Sequence, residues 1–173
     1  PILKVTDKNG QILEEFKENP GERVLSRETS FIIQNILSDD GARSMVFGRG
    51  SLLNIKGHPE VAVKTGTTND LRDNWTFGYT SDYVVGTWVG NNNNSKMRGV
   101  VSGTSGAAPI WNKIMTELLK DKTVKKPVMP TNIIGVNVCN LTGGAIPDGG
   151  CESHYEYFNK DFMHLKTTIR TIV

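Results

Sequence analysis

Residues 60–90 constrain this chain most. Three strand-like runs follow one another there: Glu60–Thr67, Asn74–Thr80 and Tyr83–Gly90. In the second run Trp75, Phe77 and Tyr79 recur at every second position, the period of a strand with one packed face. Only Ser81-Asp82 separates the second run from the third, so those two pair as an antiparallel hairpin. A helix is expected further on, from Ala107 or Pro109 to Lys120. Ile110, Ile114 and Leu118, with Trp111 and Met115, form an i, i+4 stripe along it. Pro109 suits a first turn, and Lys120 and Lys122 suit a C-terminal end.

The flanking segments read more simply. Ile2–Phe16 is a hairpin closed by Asp7-Lys8-Asn9-Gly10, since Asn-Gly is a strong hairpin turn. A helix follows from Ser26 to about Leu37, with Ser26 as N-cap, Glu28 in the first turn and Gly41 ending it. Phe47–Ser51 is a turn into a short helix near Leu52–Ile55. Residues 124–131, with two prolines, form a linker. Residues 132–173 form a small β-rich appendage with Gly-rich turns. Cys139 and Cys151 flank those turns. They read either as two small buried apolar residues or, in an oxidising compartment, as a disulfide.

Composition excludes several function classes. The 173 residues fit one ordinary domain, and 20 basic against 18 acidic residues leave a net charge of +2. That balance gives no broad basic surface for nucleic acid or membrane. The longest uncharged stretch, 127–147, is interrupted by Pro, Asn and Gly and does not read as a membrane span. No signal peptide is visible, and Pro1 in place of Met reads as a piece of a longer chain. His58, His154 and His164 have no carboxylate or Cys at metal-ligand spacing and read as ordinary polar residues. No metal or other cofactor is expected.

The segment that carries chemistry is Val63-Lys64-Thr65-Gly66-Thr67-Thr68-Asn69-Asp70. A phosphate-binding loop needs Gly directly before the Lys, and Val63 stands there. Lys-Thr-Gly has a second use, in acyl-serine enzymes, where it accompanies a Ser-x-x-Lys nucleophile motif. A strand beside such a site must offer a cation, hydroxyls for a substrate carboxylate and bare backbone for an extended substrate. Lys64, Thr65, Gly66 and Thr67 supply these. Gly66 lets a substrate lie close. The Thr67 N–H is suited to be one of two oxyanion-hole donors, a contact typically worth about 3 kcal/mol in the transition state.

With these residues in hand, the chain resembles the C-terminal part of the transpeptidase domain of class A penicillin-binding proteins. The likeness extends through Lys64–Asp70, Asp73–Thr80, Val84–Asn91 and Ala107–Trp111, and to Val138-Cys139 and Gly149-Gly150-Cys151. It implies an α+β fold like that of β-lactamases and transpeptidases, an antiparallel sheet flanked by helices, with the 107–120 helix packed on the sheet. It divides the chain at 1–126, transpeptidase part, and 127–173, extension.

The resemblance also implies a D,D-transpeptidase that cross-links peptidoglycan stem peptides and is acylated by β-lactams. Lys64 would act in proton traffic. Thr65, Gly66, Thr67 and Thr68 would bind substrate, with Thr68 equally able to shape the following turn. The protein would sit on the outer side of the bacterial cytoplasmic membrane, held by an N-terminal anchor outside this chain.

One family element is missing. No Ser in the chain has a Lys three residues later, so the nucleophile is expected from an upstream part of the same protein. The chain alone is then expected to be inactive. Two alternatives stand beside this reading: a fragment of a serine β-lactamase, and a non-catalytic cell-wall-binding module centred on 132–173. Trp75, Phe77, Tyr79 and Trp88 are expected to serve sheet packing, and Asp70, Arg72 and Asp73 a surface turn.

Overall fold

A computed structural model of the chain describes residues 2–17, 21–97 and 104–163. His164 lies outside them. Two short strands, β1 (Lys4–Thr6) and β2 (Ile12–Glu15), form the opening hairpin, paired antiparallel. Asp7 organises its turn, its Oδ1 accepting from the N–H groups of Asn9 and Gln11.

Helix α1 spans Arg27–Ser38, and the Ser26 hydroxyl caps it by accepting the Thr29 N–H. It stops before Gly41. Asp39 then starts a new helix, α2 (Asp40–Phe47), by accepting the Ala42 N–H at 3.0 Å. Gly41 therefore stands in a first turn and terminates nothing, contrary to the sequence expectation. The carboxylate cap at Asp39 outweighs the weak helix propensity of a single Gly. Residues 52–53 form a turn and 54–55 have no regular structure, so no helix forms there. The Asn112 side-chain amide donates to the Leu52 and Asn54 carbonyls, occupying acceptors that a helix would need. Leu53 and Ile55 drop into the core instead.

The central sheet is antiparallel in the order β3 (Ala62–Thr67), β4 (Asp73–Tyr79), β5 (Val84–Gly90). Register pairs Lys64 with Phe77 and Gly86, and Gly66 with Trp75 and Trp88, so these six residues share one face. Val63, Thr65, Thr67, Asn74, Thr76, Gly78, Val85 and Thr87 share the other. Helix α3 (Ala107–Leu119) covers that second face. Between them lies the core: Leu53, Ile55, Val61, Val63, Val85, Ala108, Trp111, Met115 and Leu119.

The buried stripe of α3 runs through Ala107, Ala108, Trp111, Met115 and Leu119. Ile110, Ile114 and Leu118, expected on the same stripe, are 48, 41 and 36% exposed. Both rows have helical period, and periodicity alone does not say which faces the sheet. Trp111 decides it, filling the space above Gly78, where an added Cβ would lie 2.2 Å from the indole.

Strands β6 (Ile133–Cys139) and β7 (Ser153–Asn159) pair antiparallel, and Cys139 is disulfide-bonded to Cys151 beside them. The hairpin attaches to α1 through Phe31, whose ring meets Tyr157 edge-on with centroids 5.2 Å apart. No helix among the described residues is long and apolar enough to cross a membrane.

Candidate functional site: the Lys-Thr-Gly strand edge

Among the described residues strand β3 pairs only with β4, which leaves its second edge open there. Two bonds fix which groups point there. The Thr68 N–H donates to the Asp73 carbonyl, and the Thr80 N–H donates to the Tyr83 carbonyl. In an antiparallel ladder alternate residues bond to the same neighbour. Residues 64, 66 and 68 therefore bond toward β4, and the backbone groups of Thr65 and Thr67 are directed to the open edge. The Lys64 ammonium agrees with this phase, since it donates to the outward-directed Thr65 carbonyl at 2.6 Å.

Lys64 is exposed and Thr65 half-buried. Gly66 is informative because the chain itself does not demand it. Among the described residues a Cβ there would meet only the Trp75 Cβ, at an ordinary 3.9 Å, and Gly66 has no positive φ. Gly78, Gly86 and Gly90 differ, each needed to clear an aromatic ring at 2.5 Å or less.

Thr68 is engaged locally. Its hydroxyl donates to the Asp73 carbonyl at 3.2 Å and accepts the Asp73 N–H at 3.1 Å. This clasp closes the base of the 68–73 loop. Inside the loop Asp70 and Leu71 both have positive φ, 64° and 55°. Such conformations cost on the order of 1 kcal/mol each and persist where surroundings hold them. Here Asp70 lies 3.7 Å from Arg72 and 3.4 Å from Lys96, and Arg72 donates to the Asn94 carbonyl at 2.6 Å. Thr67, Thr68, Asn69, Asp70, Arg72, Asp73 and Asn94 line a recess of about 530 Å³ at the C-terminal end of β3.

The face that carries Lys64 also carries an aromatic row. Trp75 stacks on Phe77 with centroids 5.4 Å apart and leans on Trp88 at 6.4 Å. These rings pack against one another, yet they stay 38–48% exposed. The Trp88 indole N–H donates to Asp73 Oδ2 at 3.1 Å, tying the row to the loop.

A larger groove of about 880 Å³ lies elsewhere, among Arg27, Phe31, Tyr79, Lys125, Val128 and Met129, and includes none of residues 64–68. Burial there pushes the Tyr79 phenol above its ordinary pKa. On its rim Lys125 is held charged by its bond to Asp82, 2.6 Å away.

Two residues escaped the sequence reading. His58 does have a carboxylate partner, Glu60 Oε1 at 2.9 Å, and both side chains are nearly buried. The His-x-Glu spacing, across a turn at the start of a strand, was the available signal. Asn74 is wholly buried and binds the start of α3 through its side chain. No grouping of three or more metal-ligating side chains occurs among the described residues.

No protein-family model matches. Penicillin-binding protein 1A of Pseudomonas aeruginosa is 32% identical over 146 residues, 84% of this chain and 17% of that protein. That of Clostridium botulinum (strain Langeland) is 36% identical over 140 residues, 81% of this chain and 16% of that protein. That of Aquifex aeolicus is 32% identical over 158 residues, covering 87% and 20%. The chain thus spans a sixth to a fifth of these relatives. The crystal structure of penicillin-binding protein 1A from Haemophilus influenzae superposes with a TM-score of 0.71 at 24% identity, covering 97% of this chain and 30% of that one, and shows the same fold. By sequence and by fold, the chain belongs to the penicillin-binding protein family.

Proposed function

We propose that these residues form one wall of a serine D-Ala-D-Ala transpeptidase site that cross-links peptidoglycan stem peptides and is acylated by β-lactams. The observation that carries this reading is Gly66. It lies on an open strand edge, between a lysine and two threonines, where the protein's own packing would accept a side chain. Its bareness serves something that lies against β3 from outside.

In this reading a stem peptide runs along the open edge. A serine from an upstream part of the protein attacks the D-Ala-D-Ala carbonyl carbon, and the C–N bond to the last D-Ala breaks. The leaving amine takes a proton, and an amine of a neighbouring stem later displaces the serine. Lys64 supplies positive charge and proton traffic beside that serine. The Thr65 and Thr67 hydroxyls hold the terminal carboxylate. The Thr67 N–H, on the open-edge side of the ladder, stabilises the oxyanion. Thr68 contributes by holding the loop that borders the recess.

The exposed row of Trp75, Phe77 and Trp88 and the edge of β5, unpaired among the described residues, support an upstream part packing on that side. Such a parent would work outside the cytoplasmic membrane, anchored by a segment elsewhere in the protein. Residues 1–126 are its transpeptidase part and 127–173 an extension pinned to α1 by Phe31 and Tyr157.

The test is Lys64→Ala in the full-length parent, read as the second-order rate of acylation by a fluorescent penicillin. The rate should fall by about 10²-fold or more, the scale of a lost acid–base or electrostatic contribution. An unchanged rate contradicts the role.

A further inference from the structure

Asn74 joins the end of the Lys-Thr-Gly strand to helix α3, and the structure assigns it a positioning role in acyl transfer. The inference rests on the function proposed above. Asn74 is the register partner of Thr67. The ladder makes this a non-hydrogen-bonded pair, in which Cα atoms stand about 4.5 Å apart and side chains are closest. Any displacement of Asn74 is therefore passed to Thr67 and its N–H.

The Asn74 side chain is 0% exposed. Its Oδ1 accepts the Ala107 N–H at 2.9 Å. Helix α3 has Gly106 at its N-cap, which offers no side chain, and no acidic residue in its first turn. Asn74 thus caps the helix from the sheet. The contact is close on both sides: a Cβ on Gly106 would lie 2.6 Å from both amide atoms of Asn74. From β5, the Thr87 hydroxyl donates to the Ala107 carbonyl at 2.9 Å. Both backbone polar groups of Ala107 are so gripped by the sheet, one from directly opposite Thr67. A helix anchored in the core by Trp111 and Met115 thereby fixes the strand end on which the proposed oxyanion donor sits.

The test uses the full-length parent and a fluorescent penicillin, separating the non-covalent constant K from the acylation rate k2. Asn74→Leu keeps the bulk and removes the acceptor. A misplacement of about 1 Å costs on the order of 10²-fold in rate. Asn74→Leu should therefore lower k2 by about 10- to 100-fold with K little changed. Asn74→Asp retains an oxygen for the Ala107 N–H and should stay within about threefold of the parent, well short of that loss.

Val85→Ala, a core change on the same sheet face, supplies a control of lowered melting temperature and should leave k2 unchanged. If Asn74→Leu does not fold, Gly106→Ala reads the same contact by pushing the amide away, with the same loss of k2 expected. Equal k2 values for the Asn74 or Gly106 variant and Val85→Ala overturn the positioning role, while Lys64→Ala still reports on the underlying function. A parent that no penicillin acylates removes both.

Discussion

Gly78→Ala tests the packing that holds the site in place. Gly78 lies on the face of β4 covered by α3, directly beneath Trp111. An added Cβ would stand 2.2 Å from Cζ2, 2.6 Å from Cε2 and 2.8 Å from Nε1 of that indole. Carbon atoms in contact prefer about 3.5–4.0 Å, so the ring would have to retreat by about 1.3 Å or more. Trp111 is 0% exposed and sits in the core cluster with Met115, Val63 and Leu53, so a shift of its ring has to be taken up by moving α3 or repacking that core.

Overpacking of this kind costs about 1–3 kcal/mol and occasionally more. Replacing Gly by Ala within a strand returns about 0.5–1 kcal/mol through lower backbone entropy in the unfolded chain. The net expectation is a loss of about 1–2 kcal/mol in urea unfolding followed by tryptophan fluorescence.

Trp111→Phe removes the ring atoms that clash. Alone it should destabilise by about 1–2 kcal/mol through the cavity it leaves, a loss tempered because the Trp111 indole N–H is buried without a partner among the described residues. Combined, the two changes should cost at least about 1 kcal/mol less than their sum. A neutral or stabilising Gly78→Ala, or strict additivity in the cycle, would refute the placement of Trp111 over Gly78.

Other expectations follow from the same geometry. Gly66→Ala should leave urea stability within about 0.5 kcal/mol, because its Cβ finds only an ordinary contact, while slowing penicillin acylation of the parent; a stability loss with acylation intact would reverse the reading. Replacing both Cys139 and Cys151 by Ser should lower the unfolding free energy of the 132–163 hairpin by about 3 kcal/mol, from the entropy of a loop with sequence separation 12, measured by hydrogen exchange of β6 and β7. Tyr79 has a raised phenol pKa through burial, so the folded state keeps its proton where the unfolded chain has lost it. Its contribution is full below the ordinary value near 10 and is lost as pH rises through the folded value. A Tyr79→Phe variant should lack that part of the alkaline loss in unfolding titrations.

Much of the fold was legible because its signals are local. The 73–90 hairpin is written in alternating aromatics and a two-residue connection, and α1 in the Ser26 cap. What escaped depends on contacts far apart in sequence. The 52–55 segment is turned by Asn112, nearly 60 positions away, and α3 chooses its buried face by the fit of Trp111 over Gly78. Helix α2 is the exception, missed because Gly41 obscured a local cap at Asp39.

The site divides in the same way. Lys64, Thr65, Gly66 and Thr67 are contiguous, so their shared strand was readable; which of their backbone groups point outward needed the register with β4. Asn74 looked like one more strand residue, since nothing in its neighbourhood announces a bond to Ala107, 33 positions on. His58 with Glu60 was within reach, since the two residues are neighbours across one short turn.

The central claim is that this chain supplies a strand edge and a proton-handling lysine to a serine that lies elsewhere in the parent. It is tested most directly by treating the full-length parent and the 173-residue chain with a labelled penicillin, then mapping the adduct by mass spectrometry. The expected result is one adduct on the parent, on a serine outside residues 1–173, and none on the chain alone. An adduct on any serine within these residues would contradict the account.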